Sequence, residues 1–367
     1  MIKTKDFVNV LIKNNLKFAA GVPDSLTKSM CFEFENKFKN NHVSCANEGS
    51  AIGVGIGYFL KNKQIPIIYM QNSGLGNAIN PLISLAERNV YKIPLFLILG
   101  WRGETGIDKK DEPQHIKQGL VTKKFLENLN IEYKILSKNC NYKRIVKQLK
   151  DKSIKNNKIV ALLVRKNSFE NNNNRIPQSK NFFKREEVLK KIFKIMPNKS
   201  TVISTTGILS RELNEINSIT NKINNFMCVG GMGHAISIAS GIAKKTKKKV
   251  FCFDGDGSMA MHLGALSESA KNKNIIHVVF NNESHESVGG QKTSLKGLKL
   301  FKIAKELGYK RSIRCSNSLD IIKSLKIALK YKNSSFVEIM IKDGHRKNIS
   351  RPQRNLIELK EKFMKIL

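Results

Sequence analysis

The sequence predicts an α/β protein of two domains. Each domain is expected to be a mainly parallel sheet flanked by helices, with no middle domain between them. Three observations carry this reading. The chain has 367 residues, room for two domains of ordinary size. Short apolar runs alternate with amphipathic stretches through both halves, the pattern of strands joined by crossover helices. A polar, Asn-rich stretch containing a proline, Arg165 to Phe182, separates the halves and reads as a linker.

The first domain is expected over residues 1–166. Its strand-length apolar runs are IPIIYM (65–70), IPLFLILG (93–100) and KIVALLV (158–164). The linker is placed at 167–184 and the second domain at 185–367. There the runs are TVIST (201–205), KVFCFD (249–254), IIHVVFN (275–281) and FVEIMI (336–341). The halves share size and rhythm but no evident sequence repeat.

Composition narrows the function classes. Hydrophobic content of 41% is enough for real cores. The first residues lack the apolar core of a signal peptide, and the run near IPLFLILGW is too short to span a bilayer. A cytoplasmic location is expected. The six cysteines are scattered without a CxxC pair, so reduced thiols are expected. The formal charge is +36, which would suit a nucleic-acid partner. The lysines are spread along the whole chain, however, and no nucleic-acid motif accompanies them. The charge instead favours steering of small anionic substrates.

Chemistry concentrates at VFCFDGDGSMAM. A buried strand ends there in Asp254, Gly255, Asp256, Gly257 and Ser258. In open parallel sheets, ligands bind beyond the carboxyl ends of strands. Two carboxylates at such an end are costly without a cation. A second strand, IIHVVFNNES, ends in Asn281 and Asn282. Carboxylate, amide oxygen and backbone carbonyl are hard ligands suited to Mg²⁺, which usually keeps phosphate oxygens among its partners. The Gly-rich turn before a helix suits a diphosphate.

The segment from Gly255 to Asn282 spans 28 residues, opening with GDG and closing with NN. It resembles the cofactor motif of the thiamine diphosphate-dependent decarboxylases and synthases. The resemblance implies thiamine diphosphate and Mg²⁺ as cofactors. It makes Asp256, the side chain of Asn282 and the carbonyl of Ser284 the metal ligands, with Gly255, Gly257 and Ser258 beside the cofactor. Asp254 is then a brace for the loop. The resemblance further implies that Glu48, in ANEGSAIGVGIGYFL, activates the aminopyrimidine. It makes Met232 of VGGMGHA the prop beneath a bent cofactor, with Gly231, Gly233 and His234 beside it. Asn72, Ser73 and Gly74 of MQNSGLGNAINPL face the cofactor from the first domain. It also implies at least a homodimer, with sites shared between subunits.

With no room for a middle domain, the similarity is to compact two-domain members, the phosphonopyruvate decarboxylases, with sulfopyruvate decarboxylases the nearest alternative. It rests on GVPDSLTK (21–28), GWRGETGIDKKDEPQHIKQG (100–119), GGMGHA and HESVGGQKT (285–293). Gly231, Glu283 and Glu286 stand where Ser, Gly and Asp would be expected. The implied reaction is decarboxylation of 3-phosphonopyruvate to phosphonoacetaldehyde, within phosphonate biosynthesis. A phosphonate needs cations and donors. The candidates are Ser25, Lys28, Arg102, Gln114, His115, His285, Gln291 and Lys292. Asp24, Ser25 and His115 are also candidates for proton handling. A carboligase, an inactive cofactor-binding scaffold and a nucleic-acid binder remain as alternatives.

Overall fold

A computed structural model describes residues 1–104, 106, 111–170, 182–346, 348–350 and 355–367. Most of the expected linker, residues 171–181, lies outside the described residues, as do 105 and 107–110 of the 100–119 motif. The chain divides into two units. The first comprises Met1–Arg175 and Val288–Ser294; the second comprises Ile176–Ser287 and Leu295–Leu367.

In the first unit the strands are β1 (Ala19–Gly21), β2 (His42–Ser44), β3 (Ile67–Gln71), β4 (Phe96–Gly100), β5 (Glu132–Leu136) and β6 (Val160–Val164). They form one sheet in the order β2-β1-β3-β4-β6-β5, with every pairing parallel. The helices are α1 (Thr4–Lys13), α2 (Lys28–Phe38), α3 (Glu48–Asn62), α4 (Leu75–Pro81), α5 (Pro113–Asn128) and α6 (Tyr142–Asn156). Parallel strands need crossovers, and crossover helices cover both faces. Two apolar clusters result, one on each side of β3, β4 and β6: Ile67, Phe96 and Leu162 face one, and Ile68, Leu97 and Leu163 the other. Phe169 packs edge-on against Phe7, so the first core extends past β6.

The second unit contains β7 (Ser200–Ser204), β8 (Ile223–Met227), β9 (Val250–Gly255), β10 (Ile275–Asn281), β11 (Arg311–Cys315) and β12 (Ser335–Met340). Their order is β11-β12-β10-β9-β7-β8, again all parallel. Helices α7 (Arg185–Ile195), α8 (Ile208–Thr220), α9 (Ala235–Ala243), α10 (Asp256–Met261), α11 (Ala265–Ser269), α12 (Leu300–Glu306), α13 (Ser318–Lys330) and α14 (Leu356–Ile366) complete it.

Counted from its own first strand, each sheet runs 2-1-3-4-6-5. The halves therefore repeat one topology without an evident repeat in sequence. In both, the chain leaves the first strand toward one edge and returns to the third strand on the other side. That reversal leaves a crevice at the carboxyl ends of the first and third strands.

The observed strands β3, β4, β6, β7, β9, β10 and β12 match the seven expected runs to within a few residues. The sheet edges β2, β5, β8 and β11 carry sequences such as EYKIL, INNFM and RSIRC and are partly exposed. An edge strand buries less of itself and tolerates polar residues, so no apolar run marks it. All six cysteines are free thiols, five of them buried. Among the described residues, no helix is long and apolar enough to cross a membrane.

Leu162 is fully buried in β6, between β4 and the edge strand β5. Leu162→Ala is expected to destabilise the first unit by about 2–5 kcal/mol, read from urea denaturation.

Candidate functional site

The second unit places the Asp-Gly-Asp turn at its crevice. Strand β9 ends at Gly255, and Asp256 opens α10 with its side chain buried. Thr205 follows β7, the neighbouring strand of the crevice, and its hydroxyl lies 2.8 Å from Ser258 Oγ. Ser258 Oγ also accepts from the Gly233 amide at 3.1 Å. The turn is thus tied to both neighbouring loops. Gly231 and Gly233 have φ of +63° and +92° on either side of half-buried Met232. A serine at 231 would be strained there, which accounts for glycine at that departure from the expected pattern.

Strand β10 ends next to this turn. The Asn282 side chain accepts from the Ser284 amide at 3.2 Å and donates to Asp343 at 2.8 Å. Between them Glu283 has φ +57°, a conformation that favours glycine. Its carboxylate accepts from the Gly297 amide at 2.9 Å, so the local turn at 297 uses this charge. A pocket is lined by Thr205, Met232, Asp256, Asn282, Ser284 and Glu286, among others. His285 also lines it. Burial lowers the His285 pKa to about 4, and its Nε2 has no hydrogen-bond partner among the described residues.

An ion network that includes Arg185 and Glu286 forms part of the pocket wall. Arg185 donates to Glu212 at 2.6 Å and to Glu286 at 2.9 Å. Glu286 also meets His345 at 2.6 Å. Burial alone would raise the Glu286 pKa, but His345 and Arg185 together hold it below its usual range. Burial and then the Glu286 charge raise that of Asp343. Carboxylate and amide oxygens are therefore gathered on one wall. Such a hard-oxygen donor set fits Mg²⁺, and the glycine-flanked turn leaves backbone room for a diphosphate. Arg185, Glu212, Asp343 and Thr205 carried no local sequence signal. Arg185 lies 101 residues from Glu286 and meets it only through folding.

The first unit gathers its polar groups at the equivalent crevice. Asn47 caps α3 by accepting from the Ser50 amide at 2.9 Å, which makes Glu48 the first helical residue. Glu48 is only 6% exposed and accepts from Asn77 Nδ2 at 2.8 Å. Burial raises its pKa, and the Asn77 bond opposes that rise only in part. A Cβ at Gly74 would lie 2.6 Å from the Glu48 carboxyl, so glycine there makes the space the glutamate occupies. Ser73 lies beside it, in the turn after β3. The Asn72 amide is committed elsewhere: it exchanges hydrogen bonds with the Arg102 backbone at 3.0 and 3.1 Å and donates to Thr122 at 2.9 Å.

Asp24 follows β1 and lies buried against Gly100 at the end of β4. Burial raises its pKa, against the Leu26 amide and the Arg102 charge. Arg102 donates to Ser25 at 2.9 Å and grips Asp111 through two nitrogens. Gln114 and His115 lie on the first turn of α5, which follows this loop. Gln291 belongs to the first unit and donates to the Lys28 carbonyl at 3.0 Å; Lys292 beside it is exposed. The unit thus brings together Asp24, Ser25 and Arg102, and separately Glu48, Gly74 and Asn77. Asn77 lies inside a motif that the sequence singles out, yet nothing there marked it as the glutamate's partner.

The raised pKa of Glu48 has a stability consequence. A carboxyl whose folded pKa exceeds its unfolded value holds its proton more tightly when folded, and folding loses stability as pH rises above the unfolded value. Glu48→Gln keeps the acceptor for Asn77 and removes the buried charge. The variant should match the parent near pH 4 and melt at higher temperature at pH 8, in paired thermal scans of the ligand-free chain.

Comparison with known proteins covers both units. The C-terminal TPP binding domain of thiamine pyrophosphate enzymes matches residues 205–339, and the N-terminal TPP binding domain matches residues 3–122. A phosphonopyruvate decarboxylase of Streptomyces viridochromogenes is 28% identical over 99% of this chain and 94% of its own length. A sulfopyruvate decarboxylase of Methanosarcina acetivorans is 25% identical over 92% of this chain and 91% of its own. The sulfopyruvate decarboxylase subunit beta of Methanococcus maripaludis is 30% identical over 49% of this chain and 95% of its own. The chain belongs to the thiamine pyrophosphate enzyme family.

Proposed function

We propose that the chain is a Mg²⁺- and thiamine diphosphate-dependent carboxy-lyase that converts 3-phosphonopyruvate to phosphonoacetaldehyde and CO₂ in phosphonate biosynthesis. The observation that carries the reading is the placement of Asp256, Asn282 and Ser284 around one pocket at the crevice of the second sheet. The similarity to phosphonopyruvate decarboxylase over nearly the whole chain supports the substrate.

In this reading, residues 185–367 bind the diphosphate and metal, residues 1–166 bind the pyrimidine, and 167–184 connect them. Asp256, the Asn282 side chain and the Ser284 carbonyl hold Mg²⁺. Ser258, tied to Thr205 and Gly233, fixes the turn that meets the diphosphate. Met232, fixed between two glycines of positive φ, gives the pocket a rigid apolar prop. Thiamine diphosphate, when bound there, would supply a carbon nucleophile and an electron sink for loss of CO₂.

The protein's own groups handle protons and charge. Glu48, biased by burial toward its protonated form, holds a proton at its carboxyl for exchange with the pyrimidine ring. Asp24 is biased the same way and, with His115, delivers the proton that replaces the departing carboxylate. Arg102, with Ser25 on its guanidinium, positions the anionic end of the substrate; Lys28, Gln114, His285, Gln291 and Lys292 add donors. We read the working unit as at least a homodimer in the cytoplasm.

Sulfopyruvate decarboxylation is the second reading, favoured by the similarity to the Methanococcus maripaludis subunit. CO₂ release with Mg²⁺ and thiamine diphosphate distinguishes the two. The expected result is a kcat/KM for 3-phosphonopyruvate well above that for sulfopyruvate; the reverse order would overturn the substrate assignment. Asp256→Ala is expected to abolish Mg²⁺-dependent cofactor binding in calorimetry, and retained affinity would refute the metal assignment. Glu48→Gln should bind the cofactor yet release CO₂ slower by about 10²–10⁴-fold, the size of a lost proton-transfer group.

A further inference from the structure

Behind the Asp-Gly-Asp turn lies a buried polar chain that the reaction above does not use. Asp254 and His277 are both fully buried, on the adjacent strands β9 and β10. His277 pairs in register with Cys252, and Asp254 is two residues further along β9, so the three side chains share one face of the sheet. His277 Nε2 faces Asp254 Oδ2 at 3.6 Å, and neither atom has another partner among the described residues. The other Asp254 oxygen accepts from the Gly255 amide at 2.9 Å.

The far side of the imidazole is fixed as well. Its Nδ1 lies 3.4 Å from the Tyr309 hydroxyl, which lies 2.7 Å from Ser269 Oγ. Ser269 donates its proton to the Leu266 carbonyl at 3.0 Å. Tyr309 then donates to Ser269, and His277 Nδ1 lies against the same hydroxyl. The Nε2–H tautomer of His277 then points its donor toward Asp254 Oδ2. A carboxylate buried this completely needs such a donor.

We propose that His277 is a positioning residue for Mg²⁺ and diphosphate binding: it holds the Asp254 carboxylate, which holds the Gly255 amide and so sets the peptide that presents Asp256. The proposal rests on the assignment of Asp256 as a metal ligand. The structural chain is Ser269, Tyr309, His277, Asp254, Gly255, and it ends one residue before that ligand. Losing an outer partner that orients a metal ligand typically costs roughly 10–100-fold in metal affinity.

The test is calorimetric titration of Mg²⁺ into the full chain at fixed thiamine diphosphate. His277→Leu is expected to weaken Mg²⁺ binding roughly 10–100-fold. His277→Gln, which can still donate to Asp254, should restore most of it. Asp254→Asn should weaken binding too, and adding His277→Leu to it should cost nothing further, because both act through one contact. If the leucine variant does not fold, Asp254→Asn against His277→Gln carries the same comparison. Parental affinity in Asp254→Asn or His277→Leu would overturn the proposal, as would equal losses in the leucine and glutamine variants, which indicate packing alone. One zinc per chain in the purified protein, lost in Cys252→Ser, would also overturn it by making Cys252, Asp254 and His277 ligands. A parent chain that binds no Mg²⁺ with thiamine diphosphate would overturn the metal assignment itself, an outcome distinct from a binding parent with an equally binding His277→Leu.

Discussion

A parallel sheet covered by helices on both faces leaves its strands no wet side, and everything functional in this chain follows from that constraint. Strands such as VALLV in β6 and IIHVVFN in β10 are buried along their length. Inside a strand a polar side chain needs a buried partner, as Glu338 has in Arg314; the other polar groups gather where a strand stops and its chain turns. In both units those groups collect at the carboxyl ends of the first, third and fourth strands. Asp24, Asn72 and Arg102 do so in one unit. Thr205, Asp256 and Asn282 do so in the other. The shared strand order is what makes the two sets equivalent.

Burying anionic groups at those ends has to be compensated, and the two units do it differently. In the first unit burial raises the pKa of both Glu48 and Asp24, against the hydrogen bonds that each accepts. The second unit pairs its carboxylates with cations. Arg185 stands between Glu212 and Glu286, His345 closes the far side, and Arg314 meets the fully buried Glu338 at 2.8 Å. The first pattern suits proton exchange and the second suits holding a cation. One chain thus compensates buried carboxyls in two ways on copies of one topology.

Much of this was legible before folding. The central strands announced themselves as apolar runs because they are buried on both faces. The Asp-Gly-Asp turn and the Asn-Asn strand end stood out as polar breaks directly after such runs. The edge strands stayed hidden because their burial is partial and their sequences mixed. Glu48 was visible as a carboxyl at the head of a Gly-rich apolar helix. The need for that glycine content was not. Gly55 packs so close to Ile68 that a Cβ would lie 2.5 Å from it, and Gly74 gives up its side-chain space to Glu48.

The sequence by itself determined the α/β class, the two-part organisation and the motif pair at the ends of β9 and β10. Each of these is written in contiguous residues, where periodicity and turn chemistry act. Tertiary structure alone decided which groups meet. Asn77 reaches Glu48, Arg185 reaches Glu286, and His277 reaches Asp254 because strand order and crossover connections bring distant segments together. No local pattern encodes such partners. They are chosen by the requirement that each buried polar atom find a donor or acceptor in the one arrangement that also closes the core.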